Sequence, residues 1–73
     1  MQQKQKNRQA LKAVIESDDV MIGPKEAGAV LGVHQSYITE MAQRGELPFP
    51  ALMSGNRVKI PRIGFLKWGK WIE

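Results

Sequence analysis

The chain has 73 residues, no cysteine and one histidine, and 11 basic against 7 acidic side chains give it a net charge of +4. That length allows one small domain, which neither a disulfide nor a cysteine–histidine metal cluster can staple, and it leaves little scaffold for an enclosed catalytic pocket. The expectation is a protein without enzymatic activity, metal, cofactor or small-molecule substrate, whose basic balance favours a polyanionic partner.

Residues 1–19 form a basic N-terminal helix and a joint. Lys4, Lys6, Arg8 and Lys12 precede any acid, and Glu16, Asp18 and Asp19 then reverse the sign. Leu11, Val14 and Ile15 fall at i, i+3 and i+4, which predicts a short helix over residues 5–16, marginal by itself. No segment has the apolar core of a signal peptide or the run of roughly 20 apolar residues that spans a bilayer, so the expected setting is cytoplasmic, with no membrane partner. Ser17-Asp18-Asp19 joins this helix to a compact unit over residues 20–73.

Gly23-Pro24-Lys25-Glu26 puts proline at a favoured first helical position and a carboxylate in the first turn. The pattern predicts a helix over residues 24–31, with Ala27, Val30 and Leu31 inward and Gly32 as its left-handed stop. Lys25, beside the free amides of that first turn, is a candidate phosphate anchor.

A second helix follows over residues 35–44, with His34 where a cap belongs. Ile38, Met41 and Ala42 share one side, and Gln35, Ser36, Thr39, Glu40 and Gln43 the other. Two short helices joined by a tight glycine turn, the second polar on its outer face, match the helix-turn-helix pattern. A ten-residue helix is roughly 15 Å long and a major groove about 12 Å wide, so this segment can lie across base edges. Glutamine can bond adenine bidentately and a threonine methyl can meet a thymine methyl; an ordinary solvated helix face carries the same residue types. Glu40 is expected to pair with Arg44, which otherwise reaches phosphate at the helix end.

Leu47-Pro48-Phe49-Pro50 excludes helix. Ala51-Leu52-Met53, Ser54-Gly55-Asn56 and Arg57-Val58-Lys59-Ile60 then predict a hairpin around a glycine turn. Alternation turns Val58 and Ile60 inward and Arg57 and Lys59 outward, the geometry of a wing, so Asn56, Arg57 and Lys59 are candidate phosphate contacts, supported by Arg62, Lys67 and Lys70 beyond.

Pro61 opens a last helix with Phe65, Trp68 and Ile72 along one stripe. Ile63, Leu66 and Trp71 fall outside it and need a second apolar contact, either with residues 11–15 or with another subunit. Leu11, Val14, Ile15, Ile63, Leu66 and Trp71 are therefore the candidate self-association residues. Met41, Met53 and both tryptophans are assigned to packing.

The stretch P-K-E-A-G-A-V-L-G-V-H-Q-S-Y-I-T-E-M-A-Q-R-G-E-L-P over residues 24–48, followed by R-V-K-I-P-R-I-G-F-L-K-W over residues 57–68, resembles the excisionase family of MerR-like winged-helix proteins. The resemblance covers residues 22–72, and K-E-A, L-G-V, R-G-E-L-P and K-I-P-R, in that order, carry it. It implies a recombination directionality factor of a temperate phage or mobile element, in the cytoplasm of a bacterial host. Such a protein binds repeated sites on double-stranded DNA, bends the DNA and directs a phage integrase toward excision; some Cox-like members also repress a promoter. The family's recognition-helix positions fall on Gln35, Ser36, Tyr37, Thr39 and Glu40, and its wing on Arg57 and Lys59. Members often carry arginine where this chain has Gln35 and Glu40, and serine where it has His34.

The expected fold is therefore mainly α with a small β-hairpin: a winged helix-turn-helix preceded by an extra N-terminal helix. A weakly charged reading helix with basic flanks predicts modest affinity per subunit and self-association into an oligomer on DNA. Two other readings remain open at this stage. One is a small transcriptional regulator of the same fold; the other is a protein-interaction module that uses Ile63, Leu66 and Trp71.

Overall fold

The computed structural model describes residues 2–72, with side chains from residue 7 onward. Met1 and Glu73, the ends of the two expected segments, and the side chains of Lys4 and Lys6 lie outside the described residues.

Among the described residues the fold is mainly helical, with four helices and a three-stranded antiparallel sheet. In chain order the elements are α1 (Gln2–Glu16), β1 (Met21–Ile22), α2 (Pro24–Leu31), α3 (Gln35–Gln43), β2 (Leu52–Ser54), β3 (Arg57–Pro61) and α4 (Arg62–Trp68). The helix expected over residues 5–16 starts three residues earlier, α2 has its expected bounds, and α3 ends one residue short with Arg44 as its cap.

β3 is the central strand, in the order β1-β3-β2. Leu52 pairs with Lys59, Met53 with Val58 and Ser54 with Arg57. That register leaves a two-residue turn in which Gly55 alone has a positive φ, 62°, the sign pattern of a type II′ hairpin turn. On the other edge, Met21 pairs with Pro61 and Ile22 with Ile60. The sequence did not announce β1, because two residues show no alternation and its partner lies almost forty positions away.

One core joins every element but β2: Val14, Ile22, Ala27, Val30, Ile38, Phe49, Val58, Ile60, Phe65 and Leu66 are buried together. α1 packs along α2 and contributes Val14, so the N-terminal helix closes the core of its own chain. Its C-terminal turn has no basic residue of its own. Arg62 supplies the charge, donating from Nη1 to the carbonyls of Val14 and Ile15, each at 3.1 Å, and from Nε to that of Asp19 at 2.7 Å. Arg62, expected among the phosphate contacts, is thus engaged in holding α1.

Two further expectations change at α4. Leu66, offered for contact with a second subunit, is 0% exposed, and Val14 is 4% exposed. The helix stops at Trp68, so Ile72 does not extend a helical stripe. Beyond it Lys70 adopts φ 61° and the Trp71 amide donates to the Leu66 carbonyl at 3.0 Å. The chain thereby doubles back and lays Trp71 on Phe65, with ring centroids 5.4 Å apart. Trp68 packs on Phe49 at 5.1 Å but stays 40% exposed. Leu11 is half-buried against the core, so of the six self-association candidates Ile15 and Ile63 remain exposed. Among the described residues no helix is long and apolar enough to cross a membrane.

Candidate nucleic-acid interface

The geometry of the site begins at the joint between α2 and α3. Gly32, at φ 76°, ends α2 in the left-handed conformation that glycine adopts without steric cost. The Val33 amide then donates to the Gly28 carbonyl at 2.9 Å. Gly28 makes this tight return possible, because a Cβ there would stand 2.6 Å from the Val33 carbonyl oxygen. α3 therefore starts close against α2 after only three residues.

His34 caps α3 as its position suggested. Its Nδ1 accepts from the Ser36 amide at 3.1 Å and lies 2.9 Å from Ser36 Oγ. Ile38 is buried and anchors the inner face, with Met41 and Ala42 half-buried beside it. The outer face presents Gln35, Ser36, Tyr37, Glu40, Gln43 and Arg44, all exposed. Thr39 is half-buried, and its hydroxyl donates to the Gln35 carbonyl at 3.1 Å.

Arg44 does not pair with Glu40 as expected; its Nη1 lies 4.0 Å from Glu46 Oε1, with both side chains largely in solvent. The left-handed Gly45, φ 70°, turns the chain so that the Glu46 amide donates to the Met41 carbonyl, and this swings Glu46 back beside Arg44. An exposed pair of this length restrains Arg44 only weakly.

The hairpin stands next to the end of α3. Ala42 from the helix and Gly45 just beyond its cap line one shallow cleft of about 140 Å³ together with Leu47, Phe49, Ala51 and Met53, so the end of the helix and the hairpin border the same cleft. Met53, assigned to the core from sequence, instead lines this cleft and is 45% exposed. β3 alternates as expected, with Val58 and Ile60 buried and Arg57 and Lys59 exposed, and Asn56 is exposed at the tip.

Lys25 is exposed, but the amide beside it is not free: Glu26 Oε2 accepts from the Gly23 amide at 3.0 Å. A carboxylate already occupies the start of α2, which weakens that position as an anion site. Glu26 and Lys25 border a larger cleft, about 370 Å³, between α1, β1 and α2, floored by Ala10, Ala13, Val14 and Ala29.

The structure thus sets the end of α3 beside the hairpin across an apolar cleft lined by Ala42 and Met53, and leaves Lys25 and Arg62 on other elements. Sequence reasoning missed Leu52, the exposed apolar residue opposite Lys59 on the hairpin. The strand alternation that placed Lys59 outward was the signal for it. Compared with known proteins, the chain matches no family model, no curated protein and no solved structure.

Proposed function

We propose that this chain is a sequence-specific double-stranded DNA-binding protein of winged helix-turn-helix architecture. α2 and α3 are the helix-turn-helix, α3 reads base edges in the major groove, and the β2–β3 hairpin is the wing that holds phosphates. The observation that carries this reading is the shared cleft. It sets an exposed, polar, capped helix beside a projecting hairpin whose outward side chains are Arg57 and Lys59. Charge supports it too: residues 47–72 contain Arg57, Lys59, Arg62, Lys67 and Lys70 and no acid. Gln35, Ser36, Thr39 and Gln43 supply base contacts, Tyr37 and Arg44 flank them, and Asn56 sits at the tip of the wing.

Within this class the resemblance to excisionases makes a recombination directionality factor the leading role: a phage protein that occupies repeated sites, bends DNA and turns an integrase toward excision. A small transcriptional regulator of the same fold is the second reading. The protein-interaction module loses ground because Leu66 is buried and Trp71 is half-buried against Phe65. Self-association on DNA falls to surfaces other than Val14 and Leu66.

Selection of bound duplexes from a random-sequence pool tests the DNA reading; enrichment of a common site supports it, and recovery of unselected sequence counts against it. Excision and integration assays with the cognate integrase separate the two roles, since a pure regulator leaves the direction of recombination unchanged.

A further inference from the structure

The hairpin carries a leucine where a phosphate-gripping surface has no use for one. Residues 52–57 are exposed without interruption, so β2 and the turn stand clear of the core, while β3 beyond them buries Val58 and Ile60. Alternation sorts the hairpin's side chains. Met53 pairs with Val58 and turns toward the cleft beneath α3, whereas Leu52 pairs with Lys59 and Ser54 with Arg57 on the outer face. Leu52 is 60% exposed. Cross-strand partners have Cβ atoms about 5 Å apart, and Arg57 stands two residues, roughly 7 Å, along the strand from Lys59. One face therefore offers an apolar side chain directly against one cation and one step from another.

A partner that suits this face is anionic, because no acid lies between Leu47 and Ile72. It must also present apolar surface between its charges, since a solvated leucine gains nothing from phosphate alone. The wall of a nucleic-acid groove has that alternation: charged phosphates separated by the apolar faces of deoxyribose. We propose that Leu52 packs against the deoxyribose faces of a duplex groove wall while Arg57 and Lys59 hold the flanking phosphates. This contact rests on the DNA-binding reading and adds to it a component of affinity that salt does not screen.

That component can be isolated by its salt response. The wild-type chain, Leu52→Ser, Leu52→Met and Val20→Ser are titrated with one duplex, taken from the random-pool selection, over a series of salt concentrations. Val20 precedes β1 on the opposite edge of the sheet and is also exposed, so it controls for loss of an exposed apolar side chain elsewhere. Leu52→Ser is expected to weaken binding roughly tenfold at every salt concentration with the slope of log K against log salt unchanged. Leu52→Met should stay within about twofold of wild type, as a volume-conserving change, and Val20→Ser should bind as wild type.

Wild-type affinity in Leu52→Ser overturns the contact. So does a shallower slope in that variant, which would mean that the hairpin had lost its cations along with its leucine. Failure of the wild-type chain to bind duplex at all, or binding to phosphatidylglycerol vesicles instead, would remove the DNA reading itself and is distinguishable from either result.

Discussion

Arg62 and Val14, 48 positions apart in sequence, are joined by a 3.1 Å hydrogen bond from Nη1 to the Val14 carbonyl. Arg62 is the first residue of α4, where a cation opposes the dipole of its own helix. The guanidinium reaches away from that helix to the last turn of α1, where the same charge is favourable. The local rule broken in α4 is satisfied in α1.

Arg62→Ala is therefore expected to lower stability by about 2 kcal/mol, for the loss of charge-assisted bonds to carbonyls. In a domain of this size that corresponds to about 10 °C in Tm, measured by circular dichroism. The salt slope of DNA binding should not change in the same variant. A reduced slope with unchanged Tm would return Arg62 to the phosphate contacts.

Leu66→Ala should cost about 2–5 kcal/mol, as for other large-to-small changes at fully buried core positions. The sedimentation behaviour of the folded fraction should match that of the wild-type chain. A change in association state with little loss of stability would restore Leu66 as an interface residue.

Gly28→Ala should destabilise by about 1–3 kcal/mol, because the added methyl meets backbone that cannot move without shifting α3. Since the helix is displaced, DNA affinity should fall even at temperatures where the variant remains folded. Urea denaturation and duplex titration together check both parts.

The two halves of the proposed interface should respond differently to substitution. Arg57→Ala should weaken binding to every sequence and reduce the salt slope by about one unit, whereas Gln35→Ala should change the ranking of sites with little effect on slope. Parallel titrations against selected and scrambled duplexes distinguish them; equal effects of both variants on all sequences would contradict the division of roles.

The parts of the fold that were legible in sequence are those whose determinants are local. Pro24 with Gly32, His34 with Ser36, and Gly55 with the alternation from Arg57 to Ile60 set the bounds of α2, the cap of α3 and the hairpin. What escaped depends on distant partners. β1 exists through pairing with Ile60 and Pro61, and Arg62 is claimed by the Val14 and Ile15 carbonyls that α1 presents across the molecule. Leu66 looked surplus because a helix running on to Ile72 was assumed; the left-handed Lys70 ends that periodicity and lets Trp71 fold back. The candidate site was readable as a face of α3 and a pair of hairpin cations. Its apolar member, Leu52, was passed over because leucine in a strand suggests burial by default, although the alternation that turns Lys59 outward does the same to its cross-strand partner.

Amide chemical-shift perturbation on titration with a duplex selected from a random pool tests the central claim most directly. The account predicts that the largest shifts fall together on residues 35–43 and 52–59, with Val20, Ile63 and the exposed face of α1 unaffected. Shifts confined to α1 or to the cleft between α1 and α2, with α3 and the hairpin silent, would contradict it.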